Sequence, residues 1–303
     1  MKKVLRRIGI GIIGILVLGV VLVSVISTIR WNQDYENFDV PVESIPIPTD
    51  ESAIAYGKHI AAIRFCEVCH GDNLAGGYLM NEPILAVIPA PNLTSGLGGV
   101  GQTNTDEDWI RAIRYGVGHD KRGLIGMPSR IWNQLSDKDL GALIAYLKSV
   151  PPVDNELPNR KIGPAFRLML ALGKAPASEA SLIDPTAPRP PAPEVGITPE
   201  YGKYLALGCT ACHGTKLNGG TIRDLNGELI TALNLTPGGE LQGWSEADFM
   251  TTLRTGETPS RHILKEIMPW RYAGQMTDDE LQAIWLYLQS LPALEQGTER
   301  TDL

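Results

Sequence analysis

The sequence predicts an all-α protein: a single N-terminal transmembrane helix followed by two tandem copies of one helical domain. Three observations predict it. An uncharged apolar run, residues 8–29, opens the chain. Behind it, a string of segments recurs in the same order with matching spacing. Those segments carry apolar residues at i, i+3, i+4 and i+7 behind N-cap residues, the pattern of amphipathic helices. A length of 303 residues accommodates two ordinary domains with extensions.

Residues 1–30 form the predicted anchor. Ile8 to Ile29 is 22 residues without a charge, and a helix of that length reaches about 33 Å, enough for the ~30 Å bilayer core. Lys2, Lys3, Arg6 and Arg7 precede it. The positive-inside rule keeps that end in the cytoplasm and puts the remaining chain on the periplasmic, extracytoplasmic side of the membrane. The alternative is a cleaved signal peptide. Its apolar part runs ~7–15 residues and ends in a small-x-small site, whereas this run is longer and the following "STIRWNQDY" offers no such site. Gly9 to Gly14 fits G-x-G-x-x-G but follows no strand, so a dinucleotide site is discarded. Residues 31–50 read as a tether. The net charge is −7 although the first thirty residues hold five cations and no acid. An acidic remainder argues against a nucleic-acid partner.

The first domain is placed at 51–153 and the second at 199–295, with a tail at 296–303. "YGKHIAAIRFCEVCHG" from Tyr56 answers "YGKYLALGCTACHG" from Tyr201, and "PNLT" (91–94) answers "LNLT" (233–236). "DEDWIRAIRYG" (106–116), "GMPSRIW" (126–132) and "LSDKDLGALIAYLKSVP" (135–151) have counterparts at 245–256, 267–273 and 276–292. A repeat this long is a duplicated domain rather than a solenoid unit. Ser136 and Thr277 are N-cap candidates with Asp139 and Glu280 three residues on, as in a capping box. Thr105 and Ser245, with Asp108 and Asp248, start a shorter helix in the same way. Between the domains, 154–198, an apolar segment (162–173) is too short to span a bilayer and is expected to pack between the domains. The Pro-rich 184–199 is expected to be extended.

The four cysteines all sit in two C-x-x-C-H units, Cys66, Cys69, His70 and Cys209, Cys212, His213. A zinc site needs four protein ligands, usually two such pairs close together, and these pairs lie 143 residues apart (209 − 66) in separate repeats. A redox dithiol belongs in a βαβ context, and here helices surround both units. Covalent haem attachment needs two thiols and an adjacent histidine for the iron, which is what each unit provides. Two covalently attached haem c groups are therefore expected, with His70 and His213 as proximal ligands. For the sixth position, Met127 lies 57 residues past His70 (127 − 70) and Met268 lies 55 past His213 (268 − 213). Both precede proline, which fixes φ and suits a short loop pressing a thioether toward the iron. His119 and His262 do not superpose in the repeat. Methionine raises the potential and fills the sixth site, which suits electron transfer. Arg114 and Arg254, in register, are candidates for holding haem propionates. Asn92 and Asn234 in "N-L-T" match a weak glycosylation pattern and are read instead as haem-edge residues, with Thr94 and Thr236.

The run "APNLT…DEDWIRAIRYGVG…GMP…LSDKDLGALIAYLKSVPPV" resembles class I cytochromes c. More narrowly, it is similar to the cytochrome c subunits of membrane-bound and periplasmic dehydrogenases. The matches cover most of 51–153 and 199–294 and none of the linker. The resemblance implies a compact helical domain around each haem. It also implies electron flow from a dehydrogenase or quinol-oxidising complex toward a terminal oxidase or soluble cytochrome. The expected protein is a membrane-anchored di-haem carrier, not an enzyme. A peroxidase-type di-haem enzyme is the rival, and it needs an open haem that the paired Met-Pro sites argue against. A haem relay subunit fixed in a larger respiratory complex is the third reading.

Overall fold

A helix apolar on every side has no aqueous face, and α1 (Lys2–Tyr35) is such a helix over most of its length. The computed structural model describes residues 2–174, 178–223 and 229–298 of the chain. Ile15 and Leu18 are 72% and 68% exposed, and α1 is long and apolar enough to cross a membrane. Its 34 residues span about 51 Å, more than the ~30 Å thickness of a bilayer core, and the helix outlasts the apolar run.

Those last turns are docked. Trp31 and Tyr35 stack at 4.4 Å, and Tyr35 is buried with Phe166 and Leu170. Arg30 Nη1 donates to the Leu170 carbonyl at 2.9 Å. The expected tether continues this contact: Gly123 N–H donates to the Tyr35 carbonyl, Phe38 N–H donates to the Lys121 carbonyl, and Ile45 is buried. The segment expected between the domains is instead α7 (Pro164–Leu172), packed on the base of α1 and on the first domain's sheet. Proline at its first turn and the left-handed Gly173 at its end confine it to nine residues.

Each domain is a ring of helices. In the first, α2 (Glu51–Ile63) crosses α6 (Asp137–Ser149), with α3 (Cys66–His70), α4 (Asp106–Tyr115) and α5 (Ser129–Trp132) around them. In the second, α9 (Pro199–Leu205) crosses α13 (Asp278–Ser290), with α10 (Thr210–His213), α11 (Glu246–Thr255) and α12 (Trp270–Ala273). A one-turn helix, α8 (Glu179–Leu182), lies between them in the chain. Both crossings are made at glycine. A Cβ on Gly57 would overlap the Ala142 carbonyl, and one on Gly202 the Ala283 carbonyl.

Small sheets accompany the helices. In the first domain β1 (Gly77–Glu82), β2 (Ala86–Ala90) and β3 (Lys161–Ile162) form an antiparallel sheet in that order. In the second, β4 (Gly220–Arg223) pairs with β5 (Leu229–Ala232). Their sequences do not advertise strands: β2 carries Pro89, which demotes a run to an edge, yet β2 is the middle strand.

One apolar core runs through both domains, and Ile60, Trp109 and Leu143 share it with Tyr204, Leu241 and Ile284. Polar pairs at the boundary are exchanged. His59 and Tyr204 occupy the same repeat position, as do Asp139 and Glu280. Tyr204 Oη donates to Asp139 Oδ2 at 2.6 Å, while His59 Nε2 sits 2.9 Å from Glu280 Oε2. Each domain thus reaches the start of the other's last helix. Burial and the Asp139 charge push Tyr204 up to about 12, so it remains a donor. This exchange corrects one expected capping box. Ser136 caps α6 through Asp139 N–H, but the Asp139 carboxylate accepts from Tyr56 and Tyr204 and leaves Ser136 N–H to Tyr204 Oη. The longer Glu280 completes the box with Thr277 and still reaches His59. The boxes at Thr105 and Ser245 form in full.

Burial raises the Glu280 carboxyl, but His59 and Thr277 together outweigh it and hold it below its ordinary value. A carboxyl depressed on folding stabilises above its unfolded value, about 4.3, and that stability is lost as pH falls through the folded value. Thermal melts from pH 6 downward should therefore show a steeper acid loss for the native chain than for Glu280→Gln. Equal slopes would remove Glu280 from the acid response.

Candidate functional site

The spacing C-x-x-C-H is i, i+3, i+4, three positions that share one face of a helix. At the end of α2 the chain turns at Phe65, which adopts the left-handed conformation (φ 61°), and α3 then presents Cys66, Cys69 and His70 together. In the second copy Cys209 ends a 3-10 turn over Ala206–Cys209 that feeds α10, which carries Cys212 and His213.

Each histidine is oriented by the hairpin that follows it. His70 Nδ1 lies 2.8 Å from the Pro91 carbonyl, just past β2, and His213 Nδ1 lies 2.7 Å from the Leu233 carbonyl, just past β5. A carbonyl only accepts, so Nδ1 carries the proton. Burial, partly opposed by that hydrogen bond, lowers both imidazoles from their ordinary value. The neutral ring then leaves the Nε2 lone pair for a metal, with the tautomer fixed by the second hydrogen bond.

The cysteines fit covalent attachment better than the rival chemistries. No disulfide joins them. Burial pushes Cys66 up to about 12 and Cys209 up to about 11, the reverse of a reactive dithiol. Among the described residues no three His, Cys, Asp or Glu side chains converge as a metal cluster, so the donor set does not fit structural zinc.

Met127 and Met268 sit on matching turns. Pro128 (φ −80°, ψ 57°) and Pro269 (φ −78°, ψ 51°) have the dihedrals of an inverse γ-turn. Ser129 N–H donates to the Met127 carbonyl at 2.8 Å and Trp270 N–H to the Met268 carbonyl at 2.7 Å. Both methionines are half-buried against the core that also receives Cys66 and Cys209. His119 and His262 are exposed.

The asparagines are engaged within the chain. Asn92 Nδ2 donates to the Val153 carbonyl, its Oδ1 accepts from Thr94 N–H, and Thr94 Oγ1 accepts from Val153 N–H. Asn234, Thr236 and Leu294 repeat the clasp with the same atoms. Both amide groups are thus engaged inside the chain at 1% and 2% exposure, which also removes them as glycosylation acceptors. The clasp ties the chain leaving α6 or α13 to the loop whose carbonyl receives the histidine. It positions the histidine's acceptor.

The arginines likewise have chain partners. Arg114 Nη2 bonds the Leu135 carbonyl and Asp137, and Arg254 bonds Asp278 and the Gly274 carbonyl, so each ties its helix to the start of the domain's last one. They differ in what is left. Arg114 Nε and Nη1 are buried without a chain partner, which fits a propionate, whereas Arg254 is exposed.

Sequence reasoning missed the juxtaposition of the two units. Phe65 and Gly208, each immediately before the first cysteine of its unit, approach so closely that a Cβ on Gly208 would lie 2.8 Å from the Phe65 ring. Trp132, on the turn after Met127, closes the same contact, and Tyr272, on the turn after Met268, donates to Asp72 beside His70. The available signal was the unequal length between tyrosine and cysteine in the two copies.

A family model for cytochrome c matches residues 54–151 and 200–292. The fructose dehydrogenase cytochrome subunit of Gluconobacter japonicus is 27% identical over 289 residues, covering 84% of this chain and 55% of that one. The cytochrome c subunit of alcohol dehydrogenase (quinone) from Gluconacetobacter polyoxogenes is 27% identical over 277 residues, covering 80% and 57%. A diheme cytochrome c-type protein of Cereibacter sphaeroides is 28% identical over 230 residues, covering 69% and 72%. The chain spans about half the length of the dehydrogenase subunits it matches.

Proposed function

Since the chain belongs to the cytochrome c family, whose members transfer electrons through covalently bound haem c, we propose that it is a membrane-anchored di-haem carrier on the extracytoplasmic side. Haem c supplies a reversible one-electron couple that moves no proton and forms no bond to substrate. The chain's own residues hold that couple in place. Cys66, Cys69, Cys209 and Cys212 take the thioether bonds. His70 and His213 offer Nε2, and the carbonyls of Pro91 and Leu233 fix their tautomer. Met127 and Met268 would offer a thioether as the second ligand, and Arg114 keeps two buried N–H groups that would suit a propionate.

The observation that carries this reading is the duplication of one set of groups, a carbonyl-locked histidine and a methionine on a proline γ-turn in both copies. A haem held by both would have no open position, which suits electron transfer rather than substrate chemistry. The direction is from a dehydrogenase or quinol-oxidising complex toward a terminal oxidase or soluble cytochrome. The names of the relatives, subunits of fructose and alcohol dehydrogenases, support a variant in which the chain is a relay subunit held in such a complex.

Purification in mild detergent tests both. Two covalently attached haem c groups per chain and a co-purifying dehydrogenase are expected. Rapid peroxide turnover by the purified protein would overturn the carrier reading in favour of a peroxidase-type enzyme.

A further inference from the structure

Between its tyrosine and its first cysteine, the first copy holds two residues more than the second, in a stretch that ends with Arg64 and Phe65. Arg64 is 2% exposed. Its Nη1 donates to the carbonyls of Tyr204 and Leu205, at 3.1 Å each, and its guanidinium lies 4.8 Å from the centre of the Tyr204 ring. All three contacts belong to the second domain. Nε and Nη2 are buried with no partner in the chain.

No carboxylate stands within ion-pair distance of Arg64 among the described residues, whereas the equally buried Arg114 has Asp137 at 2.5 Å. A guanidinium keeps its proton at any working pH. Arg64 is therefore a full positive charge in a poorly screened interior, held from within the chain by carbonyl dipoles and a ring face. It lies two residues before Cys66, and Leu205, whose carbonyl it holds, lies four before Cys209. Its neighbour Phe65 packs against Gly208. Burial raises both the Cys66 and Cys209 thiols, and at both the Arg64 charge acts against it.

We propose that Arg64 is a positioning charge shared by the two redox sites, favouring the reduced form at each and holding both potentials up together. Reduction adds one electron to a site and lowers its net charge by one, with no proton or leaving group moved. A fixed cation beside the site therefore stabilises the reduced state relative to the oxidised one. The inference rests on the proposed pair of haem c groups.

The test is spectroelectrochemical titration of the full-length protein in detergent, comparing Arg64→Gln, Arg64→Met and Arg64→Lys with the native chain. Each neutral variant should lower the reduction equilibrium constant of both haems about tenfold, which is 59 mV for a one-electron couple. Arg64→Lys keeps the charge without the fork and should retain most of the native value. Two neutral variants are used because glutamine keeps donors for the Tyr204 and Leu205 carbonyls, while methionine replaces a buried charge with an apolar chain, a change proteins often tolerate. Reduction equilibrium constants within twofold of native in a folded neutral variant would overturn the proposal. So would a shift confined to one haem, or a loss in Arg64→Lys as large as in Arg64→Gln. Fewer than two covalent haems per chain would instead overturn the functional reading beneath it.

Discussion

Replacing Met127 with alanine is expected to abolish the methionine-to-ferric-iron absorption band of one haem, and Met268→Ala that of the other. The double variant should lack the band altogether. The expected fall in each potential is large, a sizeable part of the ~0.8 V range that axial ligands set across haem proteins. The physical basis is local. Each methionine backbone is held by a proline γ-turn, and the two turns match to within a few degrees at the proline, φ −80° and −78°. Histidine is the alternative ligand type, but His119 and His262 are exposed and do not superpose in the repeat. Met276 provides the control. It is 2% exposed in the core, so Met276→Ala should cost ~2–5 kcal/mol of stability while leaving the absorption band in place. A band that survives in both Met127→Ala and Met268→Ala would move the sixth ligand elsewhere.

The helices were legible because their signals are local. Thr105, Ser245 and Thr277 announce caps that form in full, and the stripe through Leu140, Leu143, Ile144 and Leu147 is buried as its spacing demands. Cys66, Cys69 and His70 were legible for the same reason, since i, i+3, i+4 is a statement about one turn of helix. The sheets were not, because strands of two to six residues, one of them carrying Pro89, show their pairing only when the partner is known. The acceptors for His70 and His213 were invisible in principle. They are backbone carbonyls, and any residue can supply one, as the change from Pro91 to Leu233 shows. Asn92 and Asn234 lie between these cases. Their recurrence signalled a shared task, but which partner they hold depends on where the chain leaves the last helix, a long-range fact.

The domain boundary was legible only as a difference between copies. At two positions where the copies differ, His59 against Tyr204 and Asp139 against Glu280, the residue reaches the other domain and the two sides exchange partners. The same contact brings Phe65 against Gly208 and sets the two C-x-x-C-H units side by side.

Gly57→Ala and Gly202→Ala are expected to destabilise the protein strongly, and the sign is the informative part. Alanine exceeds glycine in helix propensity by about 1 kcal/mol, so on local grounds both changes should stabilise α2 and α9. Geometry opposes this. The added methyl would overlap a backbone carbonyl, Ala142 or Ala283, and a carbonyl inside a helix cannot swing aside as a flexible side chain can. The helices must separate, and overpacking of this kind costs typically 1–3 kcal/mol. Each kcal/mol corresponds to roughly 4–8 °C in a domain of this size, so the net fall in Tm is on the order of 10 °C. The site is affected too, because the end of α2 carries Phe65 and then Cys66. Separation of α2 from α6 moves the first C-x-x-C-H unit away from Gly208. Gly57→Ala should therefore weaken the electronic coupling of the two redox sites as well as the fold. A rise in Tm for either variant would mean that propensity wins and that the helices do not cross at contact distance in the folded protein.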